Sequence, residues 1–256
     1  MVTLYYLRRF LVYFQDILAK TSHKEVSVSE ELLDCFRRID ATLRAHQGLT
    51  SGDISNAQRR AILDGLGTAS SDYRHKIYKE DFSGRKGTLA LSDLASFVEV
   101  ALSHLEHSIR ANKRADGLYH AYNLMTVEAD GGVDITHLPE MLEGQVAVLS
   151  SGLLDANESL AVLDALKASA LFREDQYSYV LYPNKDLPRF LDKNNLDPKA
   201  VANSPLLTQL LADDNQDIVT QDCLGGFHFN GNFHNVKALR AALTDLPATY
   251  DSMVAK

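Results

Sequence analysis

Apolar positions recur three or four residues apart over most of the chain, the period of a helix with one buried face. Leu4, Leu7, Leu11, Phe14 and Leu18 form the first such face. Ser27 and Glu30 have the spacing of a capping box, in which each side chain satisfies the other's free backbone N–H. Leu32, Phe36, Ile39 and Leu43 follow as one stripe up to Gly48. A shorter helix is predicted from Ile54 to Asp64, stopped by Gly65 and Gly67. The period fails from Thr68 to Leu91, where Tyr73, Arg74, His75, Lys76, Tyr78 and Lys79 crowd together ahead of Ser83-Gly84. This predicts a long irregular segment, and long loops often carry function.

Helix returns at Asp93, capped by Ser92, with Leu94, Val98, Leu102, Leu105 and Ile109 on one side and an end near Lys113. An Asp116-Gly117 turn and a polar stretch from Glu128 to Asp134 come next. Leu138, Leu142, Val146 and Leu149 then mark a helix broken at Ser150-Ser151-Gly152. Asn157 is placed to cap another, with Leu160, Leu163, Leu166 and Ala170 on its face. The short break between them predicts an antiparallel pair. Gly144 inside the first of the two costs about 1 kcal/mol relative to alanine, which close approach of another backbone would offset. Tyr177 to Pro183 reads as a short strand, Ser204-Pro205 as a helix start, Ile218-Val219 as extended chain, and Val236, Leu239, Leu243 and Leu246 as a last helical face. No linker, strict repeat or low-complexity tract stands out. The expectation is therefore a mainly α fold of antiparallel helical hairpins with short strands in its loops, over 1–256 as a single domain.

Composition narrows the function. The formal net charge of −8 disfavours a phosphate backbone or an anionic membrane, so no nucleic-acid or membrane partner is expected. Arg8 and Arg9 interrupt the apolar start, which fits neither a signal peptide nor a membrane span. Cys35 and Cys223 are too few for a disulfide scaffold or a structural zinc site, and the reducing cytoplasm is the expected compartment. His104 and His107 share a helix face, but no further ligands accompany them, so a solvated face is expected, with no metal and no cofactor.

Four polar segments are candidates for chemistry. Asp116, Tyr119, His120, Tyr122 and Asn123 combine aromatic faces with groups that bond hydroxyls in both directions, a mix suited to a polyhydroxyl ligand. The competing reading is a turn with Tyr119 and Tyr122 packed inward. Glu128, Asp130, Asp134, Glu140 and Glu143 supply carboxylates. Glycoside hydrolysis needs two such groups, and phosphorolysis needs the acid alone. Glu143, on an otherwise apolar helix, is the candidate acid. From Phe227 to Asn235, His228 and Asn230 alternate with phenylalanines, as a binding loop or as an internally packed one. Arg74 and Lys76 are candidates to hold an anion such as phosphate, with ion pairs to the surrounding acids as the competing reading.

The run from Met141 to Leu154, with Gly144-Gln145 and Gly152, followed by a Leu-rich helix, resembles a hairpin of the (α/α)6-toroid carbohydrate-active enzymes, the glycoside phosphorylases and glucanohydrolases. Arg114 to His120 looks like the sugar-facing turns of that class. The resemblance implies a carbohydrate-active protein acting on or binding a neutral oligosaccharide, with an acid on one of the turns that line a central funnel. The chain has no tryptophan and is short for six hairpins, so an incomplete toroid, or a piece whose partner is the remainder of a larger polypeptide, is the corresponding architecture. The alternative is a non-catalytic helical interaction protein.

Overall fold

The structure, a computed structural model, describes residues 1–189 and 192–254. It is mainly α: ten α-helices and four two-stranded antiparallel pairs among the described residues. The chain divides into two compact units, Met1–Asn184 and Lys185–Lys256, at the polar, proline-containing run Pro183-Asn184-Lys185-Asp186-Leu187-Pro188.

The first unit opens with α1 (Val2–Lys20), which packs against α4 (Leu91–Ala111) and α5 (Leu142–Ser150). Strand β1 (Glu25–Ser29) pairs with β2 (Lys86–Ala90), and α2 (Glu30–Ala45) lies on α3 (Asn56–Lys79). Hairpin β3 (Asn123–Val127) and β4 (Val133–His137) precedes α5; α6 (Ala156–Ala168) and the short pair β5 (Phe172–Arg173) and β6 (Ser178–Tyr179) follow. Tyr5, Ile109, Tyr119, Ala147, Val148 and Val162 make one core cluster; Leu11, Leu43, Val98 and Leu102 belong to a second.

Several local expectations shift. Ser27 lies in β1, and Ser29 caps α2 by accepting from the Leu32 N–H. Asp155 and Glu158, not Asn157, form the capping box of α6. The segment from Thr68 to Lys79 is helical, because α3 runs on through Gly65 and Gly67 to Lys79. Its less exposed positions, Leu66, Ala69, Tyr73 and Ile77, recur three or four residues apart on one face, and Lys76 and Lys79 oppose the negative end of the helix. Gly65 is a packing site rather than a stop: a Cβ there would meet the Thr42 side chain at 2.6 Å.

The second unit holds α7 (Pro198–Ala202), α8 (Pro205–Ala212), β7 (Val219–Gln221) paired with β8 (Phe227–Phe229), α9 (Val236–Thr244) and α10 (Asp251–Val254). Leu206, Leu210, Ile218, Val219, Leu246 and Tyr250 form its core. No helix among the described residues is long and apolar enough to cross a membrane.

Candidate functional site

The loop from Asn112 to Tyr122, between α4 and β3, carries most of the expected site. It is pinned from three sides. The Tyr5 hydroxyl donates to the His120 carbonyl at 2.9 Å, and the Val2 N–H donates to the Ala121 carbonyl at 3.1 Å. From α5, the fully buried Gln145 bonds both backbone groups of Tyr119. Its Oε1 accepts from the Tyr119 N–H at 2.9 Å, and its Nε2 donates to the Tyr119 carbonyl at 2.8 Å. Gly117 has φ +85°, a turn conformation that favours glycine. Gly144 lets α5 approach the loop: a Cβ at this position would lie 3.0 Å from the Ala121 Cα and 3.1 Å from its N. The interior glycine is therefore explained by backbone contact.

This clamp separates the expected residues. Tyr119 is 1% exposed and sits in the core, so its ring packs rather than stacking on a ligand. Asp116 is held by Arg114 at 2.7 Å, and the same guanidinium reaches Glu140 at 3.3 Å. The Arg114 hydrogen bond keeps the Asp116 carboxyl below its usual range. The Tyr122 hydroxyl donates to Glu143 at 2.9 Å, on the exposed first turn of α5. That bond raises the Tyr122 hydroxyl above the ordinary phenol value.

His120 and Asn123 come together with a residue that the sequence pattern does not single out. The hairpin register sets Asn123 opposite His137. His137 Nδ1 lies 3.0 Å from Asn123 Oδ1, and the His120 and His137 rings stack with centroids 3.7 Å apart. Burial, then the neighbouring His137 and Arg114, lowers the His120 pKa and favours the neutral ring. Asn123 and His137 line a cavity of about 830 Å³, a size suited to a small-molecule ligand. Its body is apolar, with Leu11, Leu43 and Phe97 among the lining, and its polar groups include Asp53, Arg59, His107 and Asn112.

Four buried side-chain polar atoms lack a partner among the described residues, and two of them belong to lining residues: His107 Nδ1 and Asn112 Oδ1. A third is His120 Nδ1, on the stacked ring. His107 Nε2 lies 2.7 Å from the Gly52 carbonyl, so it carries the hydrogen and leaves Nδ1 as an acceptor. His104 Nε2 likewise donates to the Leu43 carbonyl at 2.9 Å. The expected solvated histidine face is thus turned inward. The helical spacing of His104 and His107 was the available signal; Asn112 and His137 had none. No cluster of three or more potential metal ligands occurs among the described residues.

The other expected residues are committed elsewhere. Arg74 and Lys76 are exposed and two apart on α3, so they leave the helix on different sides and do not converge on one anion. His228 uses both ring nitrogens within the second unit: Nε2 meets Asp222 at 2.8 Å and Nδ1 donates to the Asn194 carbonyl at 3.0 Å. These bonds raise its pKa, the Asp222 contact most. Asn230 donates to the Gln216 carbonyl and accepts from the Asn232 N–H. Both residues hold their own loop together.

No curated protein matches the chain. Residues 187–256 match the family model of GH149 phosphorylase insertion domain 2. The match begins two residues inside the second unit and leaves the first unit outside it. The C-terminal segment is accordingly similar to a module of glycoside phosphorylases.

Proposed function

We propose that the chain is a carbohydrate-handling part of a glycoside phosphorylase-like protein, binding a neutral oligosaccharide. The match of residues 187–256 to a phosphorylase insertion domain carries this reading. The geometry of the first unit supports it: His107, Asn112 and Asn123 offer hydrogen-bonding groups to hydroxyls around a ligand-sized cavity, beside the stacked His120 and His137. Glu143, with Tyr122 bonded to it, is the acid we assign to protonation of a glycosidic oxygen, with phosphate as nucleophile. Isothermal titration with a panel of neutral oligosaccharides tests the binding. Heat from at least one of them, lost in Asn123→Leu, is expected; silence across the panel refutes the reading. Where phosphate-dependent turnover is measured, Glu143→Gln should abolish it while the helical circular dichroism is kept. Unchanged turnover removes Glu143.

One observation favours a second reading, in which the chain works docked to another polypeptide: the outward face of α1 exposes large apolar side chains.

A further inference from the structure

We propose that this chain associates with a second copy of itself through the outer face of α1, as an antiparallel, two-fold symmetric helix pair. The inner face of α1 is used within the first unit, where Tyr5 and Leu11 are buried and Leu4, Phe14 and Leu18 pack on the core clusters. The outer face carries Tyr6, Phe10, Tyr13 and Ile17, exposed at 45%, 55%, 62% and 43%. At 3.6 residues per turn these four fall within an arc of about 60°, which is a seam rather than scattered surface residues. The Phe10 ring is stacked on Phe14, with centroids 5.9 Å apart and planes 9° from parallel, so the middle of the seam is ordered before any partner arrives.

The order of the seam identifies the partner. Its spacings are four, three and four residues, the same read from either end. An antiparallel copy therefore sets Tyr6 against Ile17 and Phe10 against Tyr13, and each contact occurs twice. That is the self-complementarity an isologous interface requires. The charges agree. Arg9 and Asp16 lie seven residues apart on one flank of the seam, both exposed and without an ion pair among the described residues. A two-fold axis brings like flanks together, so Arg9 of one copy faces Asp16 of the other, again twice. An unrelated apolar partner would not need the opposed charges of Arg9 and Asp16. A membrane surface would be opposed by Asp16 beside the seam and by the net charge of −8.

Sedimentation equilibrium of the full chain across micromolar concentrations tests this. A monomer–dimer equilibrium is expected. The exposed pair Phe10→Glu with Tyr13→Glu should raise the dissociation constant at least about thirtyfold. Arg9→Glu alone should raise it about two- to tenfold, and Arg9→Glu combined with Asp16→Arg should restore it. These flanking variants keep the test valid even if the apolar pair disturbs folding, which circular dichroism reads. A chain that stays monomeric throughout overturns the proposal, whether or not it floats with neutral lipid vesicles. So does a dimer indifferent to the seam, or an Arg9→Glu defect that the compensating Asp16→Arg fails to rescue.

Discussion

Replacing Gln145 should unfasten the loop that carries His120 and Asn123. Its amide is fully buried and makes three bonds: to the Tyr119 N–H, to the Tyr119 carbonyl, and to the Met141 carbonyl at 3.1 Å. The Met141 carbonyl also accepts from the Gly144 N–H, so it keeps a partner when Gln145 is removed. The two Tyr119 groups do not: they are buried, and Gln145 is the group that bonds them both. Leaving a buried donor or acceptor unpaired costs about 1–3 kcal/mol each. Gln145→Leu, which preserves most of the volume, should therefore destabilise by roughly 2–6 kcal/mol, a large part of the 5–15 kcal/mol typical of a folded domain. Gln145→Ala should cost more, because it adds a cavity. Thermal unfolding followed by far-ultraviolet circular dichroism measures this. With about 2–4 °C lost per kcal/mol, even the low end is a drop of at least 4 °C. A loss below about 1 kcal/mol in Gln145→Leu would show that water, or a shifted loop, satisfies Tyr119, and that the clamp does not set the loop.

Glycine substitutions should separate in sign. Gly67 has nothing within 4 Å of a built Cβ, so Gly67→Ala should stabilise α3 by about 0.5–1 kcal/mol. Gly144→Ala gains the same helix propensity but meets the Ala121 backbone, where overpacking costs about 1–3 kcal/mol, and a net loss of up to about 2 kcal/mol is expected in urea unfolding. The His228–Asp222 pair should make the second unit's stability depend on pH. The His228 pKa is raised, so its contribution is complete below the unfolded value of about 6.5 and is lost as pH rises through the folded value. Asp222 is lowered, so its share is present above the ordinary carboxylate range and is lost as pH falls through the folded value. Ring-proton NMR should place the His228 midpoint above that of a free histidine, and Asp222→Asn should bring it down; a midpoint indifferent to Asp222→Asn refutes the pairing.

The helical face from Leu94 to Ile109 was legible because a buried stripe has to repeat with the helix period, whereas α5 buries Gly144, Gln145, Ala147 and Val148 and leaves Val146 of the expected stripe exposed. The close approach at Gly144 was legible for a related reason, since a glycine in an apolar helix needs compensation. What escaped was structure whose stripe is weak. In the second half of α3 it consists of the small Ala69 and the half-buried Tyr73 and Ile77 among polar residues, and Gly65 looks like a terminator unless Thr42 is known to lie against it. The strands are five residues or fewer. Too few alternations fit into that length to stand out from loop, and β1 and β2 pair across more than fifty intervening residues. Without the β3–β4 register, nothing links His137 to Asn123, or through the ring stack to His120.

The candidate site shows why loop residues are hard to sort by type alone. Histidine, asparagine, glutamine and aspartate attract notice because they can bond a ligand, and the same capacity lets them bond a peptide group of their own chain. The residue type is equal in both cases; the deciding quantity is whether that capacity is already used. His228 has both nitrogens engaged, Asn230 has both ends of its amide engaged, and Asp116 is held by Arg114 and the Leu118 N–H. His107, Asn112 and His120 each retain one buried atom with no partner among the described residues. An unpaired buried acceptor costs about 1–3 kcal/mol, so the two that line the cavity, His107 Nδ1 and Asn112 Oδ1, are a local concentration of unfavourable energy. A ligand that donates hydrogen bonds would remove that cost on binding. The hydrogen-bonding part of the candidate site therefore lies at the α4 end and the β3–β4 hairpin, and the turn at Asp116 lies outside it.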